Sequence, residues 1–494
     1  MGTVAVSNLG PGSAPQTVWH TLIEPFSTDE RRIPSRDMMQ TGGQLREARI
    51  AIGLSQAKLA QLTAVPQGLL SAFERGRIEL SAPHHDAIRM AMGDAERVEQ
   101  LVNRKKRVVQ REYLVPPRLA DREALTATTP ANAGYLAALA DLSRAHATPK
   151  PDDAPTAVSL FSGCGGFSLG FSAAGFRLLG HLELNAHLQK IYQANFPSNA
   201  RLGSDITAVS DTALSAMAQD LGGVDVIIGG PPCQGFSLSG KRDVDDPRNT
   251  LFRDYLRFVR ELKPKVAVLE NVRLLTSMKS PRGGLVKDEI IAAFQAEGYD
   301  TAFFEVNAKD YGVPQHRERV IFVAVHRCVG HRPSLPDRTH QGAAHRSFGD
   351  AVSDLPYLES GEHAEDPLHA AVRHPKHVID WLWDVPQGAS AHDNEDVGNR
   401  PPSGYNTTYK RQVWNEPAAT VQTTSAMISG CRNVHPIATR SLTIREAARL
   451  QSFPDTYQFP STGSARVGIG NAIPPLLAQA IARHVSGFLR GQRL

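Results

Sequence analysis

From Ala157 onward the chain alternates short apolar runs with amphipathic stretches, and no other feature narrows its fold so far. The runs are "TAVSLF", "RLLGHLEL", "VDVIIGG", "KVAVLENV", "DTAFFEVNA" and "RVIFVAVH". Most are dense in Val, Ile, Leu and Phe, as strands buried on both faces are. Between them lie helical stretches such as "AHLQKIYQANF", "NTLFRDYLRFVREL" and "GLVKDEIIAAFQAEG". Parallel strands need long crossover connections, usually helices, so the alternation predicts a doubly wound α/β sheet. Ligands of such sheets bind beyond the carboxyl ends of the strands.

Two loops at such ends carry chemistry. "SGCGGFSLGFSAAGF" follows the first run, and Gly163, Gly165 and Gly166 let its backbone come close to a nucleoside. The spacing is not G-x-G-x-x-G, so the pyrophosphate fingerprint is absent. Glu183 ends the next strand about 20 residues on, where ribose hydroxyls are commonly held. Asp205, in "GSDIT", suits an adenine amino group. A nucleoside without a pyrophosphate points to S-adenosylmethionine; a nicotinamide dinucleotide stays open on this signal alone. The second loop, "GGPPCQGFS", places Cys233 behind two prolines at the end of a buried strand. A free cysteine is usually a small buried hydrophobe. It becomes a nucleophile where a neighbour lowers its pKa or takes its proton. Glu270 ends "KVAVLEN", so parallel topology brings it to the edge that holds Cys233. Arg317 and Arg319, in "RER", open a later strand. A thiol, a carboxyl and guanidinium groups suit a heteroaromatic ring that is attacked, protonated and held by a carbonyl.

These residues carry a family resemblance. "SLFSGCGG", "GSDIT", "GGPPCQGFS", "DDPRNTLF", "LENV", "QHRER", "REAARLQSFPD" and "GNAIPP" resemble, in order and spacing, the motifs of the DNA cytosine-5 methyltransferases. The resemblance runs from about Val158 to the C-terminus, except over 330–415. There the family keeps a variable target-recognition domain, and Thr420-Val421 is similar to a pair near its end. Ser159 stands where many members carry Asp. The resemblance implies a Rossmann-like S-adenosylmethionine-dependent fold and double-stranded DNA as substrate. It implies that the target cytosine is flipped out of the duplex. Cys233 would attack C6, Glu270 would bond N3 and the exocyclic amine, Arg319 would hold O2, and Arg317 would support the pocket. Phe161, Gly163, Gly165, Gly166, Glu183, Asp205, Ile206, Leu251 and Asn471 match the cofactor pocket. Residues 234–248 match a mobile loop, in which Ser237, Lys241 and Arg248 are candidates for phosphate contact. Two other readings remain: a DNA-binding regulator on a non-catalytic scaffold, and an RNA cytosine-5 methyltransferase.

The N-terminal part has a different texture. Residues 1–40, rich in Gly, Pro, Ser and Thr, read as a flexible arm. Over 41–115 helices are expected, with Leu59, Ala60 and Leu62 facing inward and Leu69, Leu70, Ala72 and Phe73 as an apolar face. "GLSQAKLAQLTAV" and "SAFERGR" resemble the phage-repressor-like helix-turn-helix family. That implies DNA contact from Gln56, Gln67, Ser71 and Arg75, and in some bacterial members such an arm binds the methylase's own promoter. The basic cluster 104–107 reads as a solvated helix face. Residues 116–155 read as a linker with one amphipathic piece at 135–144. His363, His369, His374 and His377 read as surface histidines, and no metal is expected. Thr443 with Glu446 forms a capping-box pattern. A last helix over 474–490 carries Leu476, Leu477, Ala480, Ile481 and Val485. Remaining boundaries are set at 156–330 and 431–494 for the two catalytic parts and 331–430 for target recognition.

With 494 residues, 41% hydrophobic and 21% charged, the chain suits a multidomain globular protein. No apolar run approaches the ~18 residues of a membrane span, and no secretory signal or clear myristoylation site opens the chain. Four cysteines without a C-x-x-C pair argue against a disulfide framework or zinc site. A cytoplasmic, nucleoid-associated bacterial protein is expected, with no membrane partner. A companion restriction endonuclease would act without touching it. A net charge of +4 leaves nucleic-acid contact to local basic patches.

Overall fold

The computed structural model describes residues 41–51, 54–93, 126–232, 251–280, 283–394 and 400–491. The chain divides into two compact units, Met1–Gln110 and Arg111–Leu494. The expected arm 1–40 and basic cluster 104–107 lie outside the described residues.

Among its described residues the first unit contains four helices: α1 (Gly42–Ala51), α2 (Gln56–Thr63), α3 (Gln67–Glu74) and α4 (Ala82–Gly93). They enclose a small core of Leu45, Leu54, Leu59, Val65, Leu70, Phe73, Ile88 and Met92. The buried face of α3 is Leu70 and Phe73, three residues apart; Leu69, expected inside, is exposed. A helix turns about 100° per residue, so two consecutive leucines cannot both point at a core this narrow. Arg49 and Glu74 form a buried two-point ion pair, Nε–Oε1 2.6 Å and Nη2–Oε2 2.9 Å, that ties α1 to α3.

The second unit is built on a seven-stranded sheet of order β3-β2-β1-β4-β5-β7-β6. The strands are β1 (Thr156–Leu160), β2 (Arg177–Leu182), β3 (Ala200–Gly203), β4 (Val226–Gly229), β5 (Val266–Val272), β6 (Tyr299–Asn307) and β7 (Glu318–His326). The first five are parallel; β7 runs antiparallel to both β5 and β6. Side chains of a strand alternate between faces, and here the alternation separates two cores. Val226, Ile228, Val266, Val268, Ile321 and Val323 pack with Phe167, Phe171, Leu477, Ile481 and Val485. Ile227, Ala267, Leu269, Phe322 and Ala324 pack on the other side with Tyr255, Phe258, Ile290 and Phe294. Strands sandwiched this way read as continuous apolar runs. The strand order reverses between β1 and β4, and that crevice is where such sheets bind ligands.

The amphipathic piece expected at 135–144 is a helix, but it is longer than expected and docks on the second unit instead of lying in a linker. Residues 130–147 form an 18-residue helix, α5 (Pro130–Ala147), capped by Thr129 Oγ1, which accepts from Asn132 N. Asn132, Tyr135, Leu139 and Leu142 are buried in the second unit. Tyr135 Oη donates to Arg449 O, and Asn132 Nδ2 to Asp354 Oδ1 at 2.8 Å. Pro and Ala give the stretch the composition of a linker, but Pro130 sits in the first helical turn, where its missing N–H costs nothing, and the alanines let the helix lie close to its neighbour.

Two of the four expected surface histidines also differ. His369 is buried, its ring nitrogens bonded to Thr443 Oγ1 (3.0 Å) and Pro356 O (2.8 Å). His374 accepts from Ser441 N, and burial pulls its pKa down to about 4, so the ring is neutral. The boundary set at 430 is not a break in bonding. Fully buried Arg411 donates to the carbonyls of His435, Ile437 and Ala438, to Leu382 O and to Thr439 Oγ1. The expected capping box is present, Glu446 N donating to Thr443 Oγ1 and Thr443 N to Glu446 Oε2. The last helix spans Pro475–Leu489; Leu477, Ile481 and Val485 are buried, while Leu476 and Ala480 are only partly so. Among the described residues no helix is long and apolar enough to cross a membrane.

Glu446 also binds Arg440 through two bonds, Oε1–Nη2 2.7 Å and Oε2–Nη1 2.8 Å, with both side chains buried. Breaking one partner of such a pair leaves an uncompensated buried charge and costs about 3–5 kcal/mol. Glu446→Gln should lower the unfolding free energy in denaturant titrations by about that amount. Arg440 holds the Glu446 carboxyl well below its usual range against the opposing effect of burial. A depressed folded-state pKa gives stability that is present above the unfolded value near 4.3 and is lost as pH falls below it. Wild-type stability should therefore decline with acid below about pH 4 more steeply than that of the variant.

Candidate active site

The chain leaves β4 at Gly229, which pairs with Leu269, so Gly230 lies beside Glu270. A Cβ on Gly230 would sit 2.9 Å from Glu270 Oε2, which explains a glycine there. Asn271 Nδ2 donates to Pro231 O at 3.1 Å and anchors the proline pair to β5. On β7, Arg319 stands opposite Val272, and Ile321 opposite Glu270. Glu270 and Arg319 are therefore diagonal neighbours on one face. Their side chains meet in an ion pair, Nε–Oε1 2.7 Å, and both are mostly buried. Burial raises the Glu270 carboxyl pKa; Arg319 and Arg317 oppose the rise.

Arg317 sits just before β7 and is fully buried. Its Nη1 donates to Val421 O (3.2 Å) and its Nη2 to Gly470 O (2.8 Å), while Nε has no partner among the described residues. Burial, then the like charge of Arg319, pulls its pKa well down. Nearby Gln315 donates to Leu450 O and Gln451 Oε1 and accepts from Val421 N. Residues 315–317 thus knot three distant segments together beside the Glu270–Arg319 pair. Sequence reasoning passed over Gln315 and Asn271, although both lie inside the quoted motifs "QHRER" and "LENV". Cys233 is the next residue after Pro232, and it, Ser237, Lys241 and Arg248 lie outside the described residues.

At the end of β1 the backbone turns through left-handed conformations at Phe161 (φ 52°), Gly163 (φ 57°) and Gly165 (φ 94°). A non-glycine residue held there is strained, and such strain gathers at ligand sites. A Cβ on Gly165 would lie 2.5 Å from Tyr457 Oη and 2.7 Å from the Phe196 ring. Tyr457 Oη itself donates to Cys164 O. Gly166 opens the helix 166–173. Glu183 accepts from Gly163 N on Oε2 and from Asn185 N on Oε1, both at 2.8 Å. Burial foremost raises its pKa. Asp205 accepts from Thr207 N and Thr207 Oγ1 through Oδ1. Phe161, Ile206 and Leu251 share one hydrophobic cluster. Asn471 is exposed at the end of the helix Thr462–Asn471. The structure thus carries two adjoining arrangements along one sheet edge, a strained glycine loop over β1 and β2 and an acid–guanidinium pair over β5 and β7.

Residues 156–487 match the family model of C-5 cytosine-specific DNA methylases. The chain belongs to this family. It is 35% identical over 376 residues to the type II methyltransferase M.DdeI of Desulfomicrobium norvegicum, covering 68% of this chain and 90% of that one. With the type II methyltransferase M1.HphI of Haemophilus parahaemolyticus it shares 39% identity over 335 residues, 67% and 86% of the two chains. A solved structure of a prophage-encoded E. coli protein, assigned as a DNA modification methyltransferase, superposes with a TM-score of 0.55. It is 25% identical and covers 68% of this chain and 99% of its own. The sheet is accordingly the Rossmann-like methyltransferase sheet, and the protein is an S-adenosylmethionine-dependent DNA cytosine methyltransferase.

The loop over β1 fits that cofactor. Its glycines keep the backbone bare, and Ser162 Oγ is buried without a hydrogen-bond partner among the described residues. Glu183 has carboxylate lone pairs beyond the two used by the backbone, and Asp205 Oδ2 accepts no bond among the described residues.

Proposed function

We propose that the methylase acts through Cys233, with Glu270 and Arg319 as its partners on a flipped-out cytosine, and that Phe161, Gly163, Glu183, Asp205, Ile206, Leu251 and Asn471 hold S-adenosylmethionine. The bound cofactor supplies an electrophilic methyl group. The observation that carries this reading is the Glu270–Arg319 pair at the point where Pro231 and Pro232 lead into Cys233. C5 and C6 of a stacked cytosine are out of reach, so the base must leave the duplex. Glu270, whose buried carboxyl holds a proton more readily than an exposed one, hydrogen-bonds N3 and makes C6 electrophilic. Arg319 is oriented by its bonds to Glu270 Oε1 and Glu318 O, and binds the O2 carbonyl. The Cys233 thiolate adds to C6, and C5 becomes nucleophilic. Once the methyl group is on C5, with S-adenosylhomocysteine as the other product, solvent takes the C5 proton; the C5–C6 double bond re-forms and the thiolate leaves. Arg317 positions this edge by clamping Val421 and Gly470 instead of touching the base. Ser237, Lys241 and Arg248 bind DNA phosphates, and residues 331–430 supply the bases' recognition.

Sequencing of plasmid DNA from cells expressing the chain tests this reading. Wild type should leave C5-methylated cytosine in one recurring motif, and Cys233→Ser should abolish it while remaining folded. Methylation that survives Cys233→Ser would overturn the reading.

The first unit binds DNA in the same proposal. Gln67 and Arg75 are exposed on and just beyond α3, and Ser71 is half-buried between them. Gln56 is less available, because its Nε2 donates to Glu74 Oε2 at 2.6 Å. Its target would be the promoter of its own gene, and a companion restriction endonuclease of the same system would act without direct contact. A mobility shift of the full chain on upstream DNA should be weakened about tenfold by Arg75→Ala. No shift with wild type at low salt would end this part of the proposal.

A further inference from the structure

We propose that His146, near the end of α5, is a positioning residue for the cofactor loop, acting through an aromatic stack behind Gly165. The helix lies outside the family-matched residues 156–487, so nothing in the match assigns it a role. The inference rests on the reading of the β1 loop as the cofactor site.

The stack can be followed ring by ring. The His146 ring meets Phe196 edge-on, with centroids 4.9 Å apart. Phe196 stacks on Tyr192 at 4.5 Å, and Tyr192 on His181 at 4.0 Å. Phe196 and Tyr192 press directly on the loop: a Cβ on Gly165 would lie 2.7 Å from the one and 3.3 Å from the other. Tyr192 Oη donates to Ser168 Oγ, two residues into the helix that leaves the loop. His181 lies two residues before Glu183. Both the glycine loop and its carboxylate therefore lean on one stack.

His146 fixes the outer end of that stack. Its Nε2 faces Asn195 O at 3.2 Å, an acceptor only, so Nε2 carries the hydrogen. Its Nδ1 then accepts from Ser172 Oγ at 2.9 Å. One neutral imidazole thus joins the ends of the helices 166–173 and 186–195. Burial lowers its pKa and keeps it in that neutral form. The helix carrying it is held at its other end by Asn132 and Tyr135, so the brace has a fixed base.

The test is calorimetric titration of the full chain with S-adenosylhomocysteine. One aromatic contact and its bonds correspond to a weakening of about fivefold, which is the effect expected of His146→Ala. The Michaelis constant for DNA should stay at its wild-type value. Ser143→Ala, on the same helix but bonded to Thr456, should bind like wild type. A His146→Ala protein that melts earlier yet binds with the wild-type constant would overturn the proposal. Should His146→Ala not fold, His146→Gln replaces it: it keeps a donor for Asn195 O but loses the ring, and a wild-type constant there would overturn the proposal equally. Glu183→Gln separates the two readings. If it abolishes binding while His146→Ala does not, only the brace fails; if it binds normally, the cofactor reading fails as well.

Discussion

The ion pair between Glu270 and Arg319 is the contact on which the rest of the site depends. It requires β5 and β7 to lie side by side in one register, because a one-residue slip would turn one partner to the opposite face. It requires the chain to leave β4 through a glycine, because a side chain at Gly230 would occupy the place of the carboxylate. Burial acts on it in two opposing ways, raising the carboxyl pKa while strengthening the attraction of the guanidinium. The knot at Gln315 and Arg317 keeps this edge from opening. It spends buried donors on the carbonyls of segments more than a hundred residues away.

The cofactor side solves a different problem. A loop that must expose bare backbone cannot stabilise itself with side chains. Phe161 is held at a positive φ, and Gly165 lies against rings that exclude any larger residue. The conformation persists because its surroundings over-determine it: Glu183 grips Gly163 N, Tyr457 grips Cys164 O, and an aromatic stack fills the space behind. Strain at the front is thus supported by packing at the back.

Much of this was legible in the letters. Strands buried on both faces write themselves as apolar runs, so all six quoted runs are strands, and the glycine loop and Gly229–Pro232, the start of "GGPPCQGFS", lie at strand ends. The direction of β7 was not legible, because an apolar run does not record which way it points. Amphipathicity marks 135–144 within the helix 130–147, but its docking is hidden, since its buried face is mostly Tyr135, Leu139 and Leu142 spaced among alanines. The burial of His369 is not legible, because its partners, Pro356 and Thr443, lie on other segments of the chain. Arg411 and Gln315 gave no sign, as donors to main-chain carbonyls leave no periodicity. Of the site itself, residue types and strand-end placement could be read; the clamp role of Arg317 required coordinates.

The central claim is a bond between the Cys233 sulfur and C6 of cytosine, aided by the Glu270–Arg319 pair. A duplex carrying 5-fluorocytosine at the target position tests it most directly, because fluorine at C5 cannot leave as a proton does and the adduct cannot resolve. With S-adenosylmethionine present, the account predicts a denaturant-stable protein–DNA adduct, mapped by mass spectrometry to Cys233. No adduct with an enzyme active on the unmodified duplex, or an adduct on another residue, would contradict it.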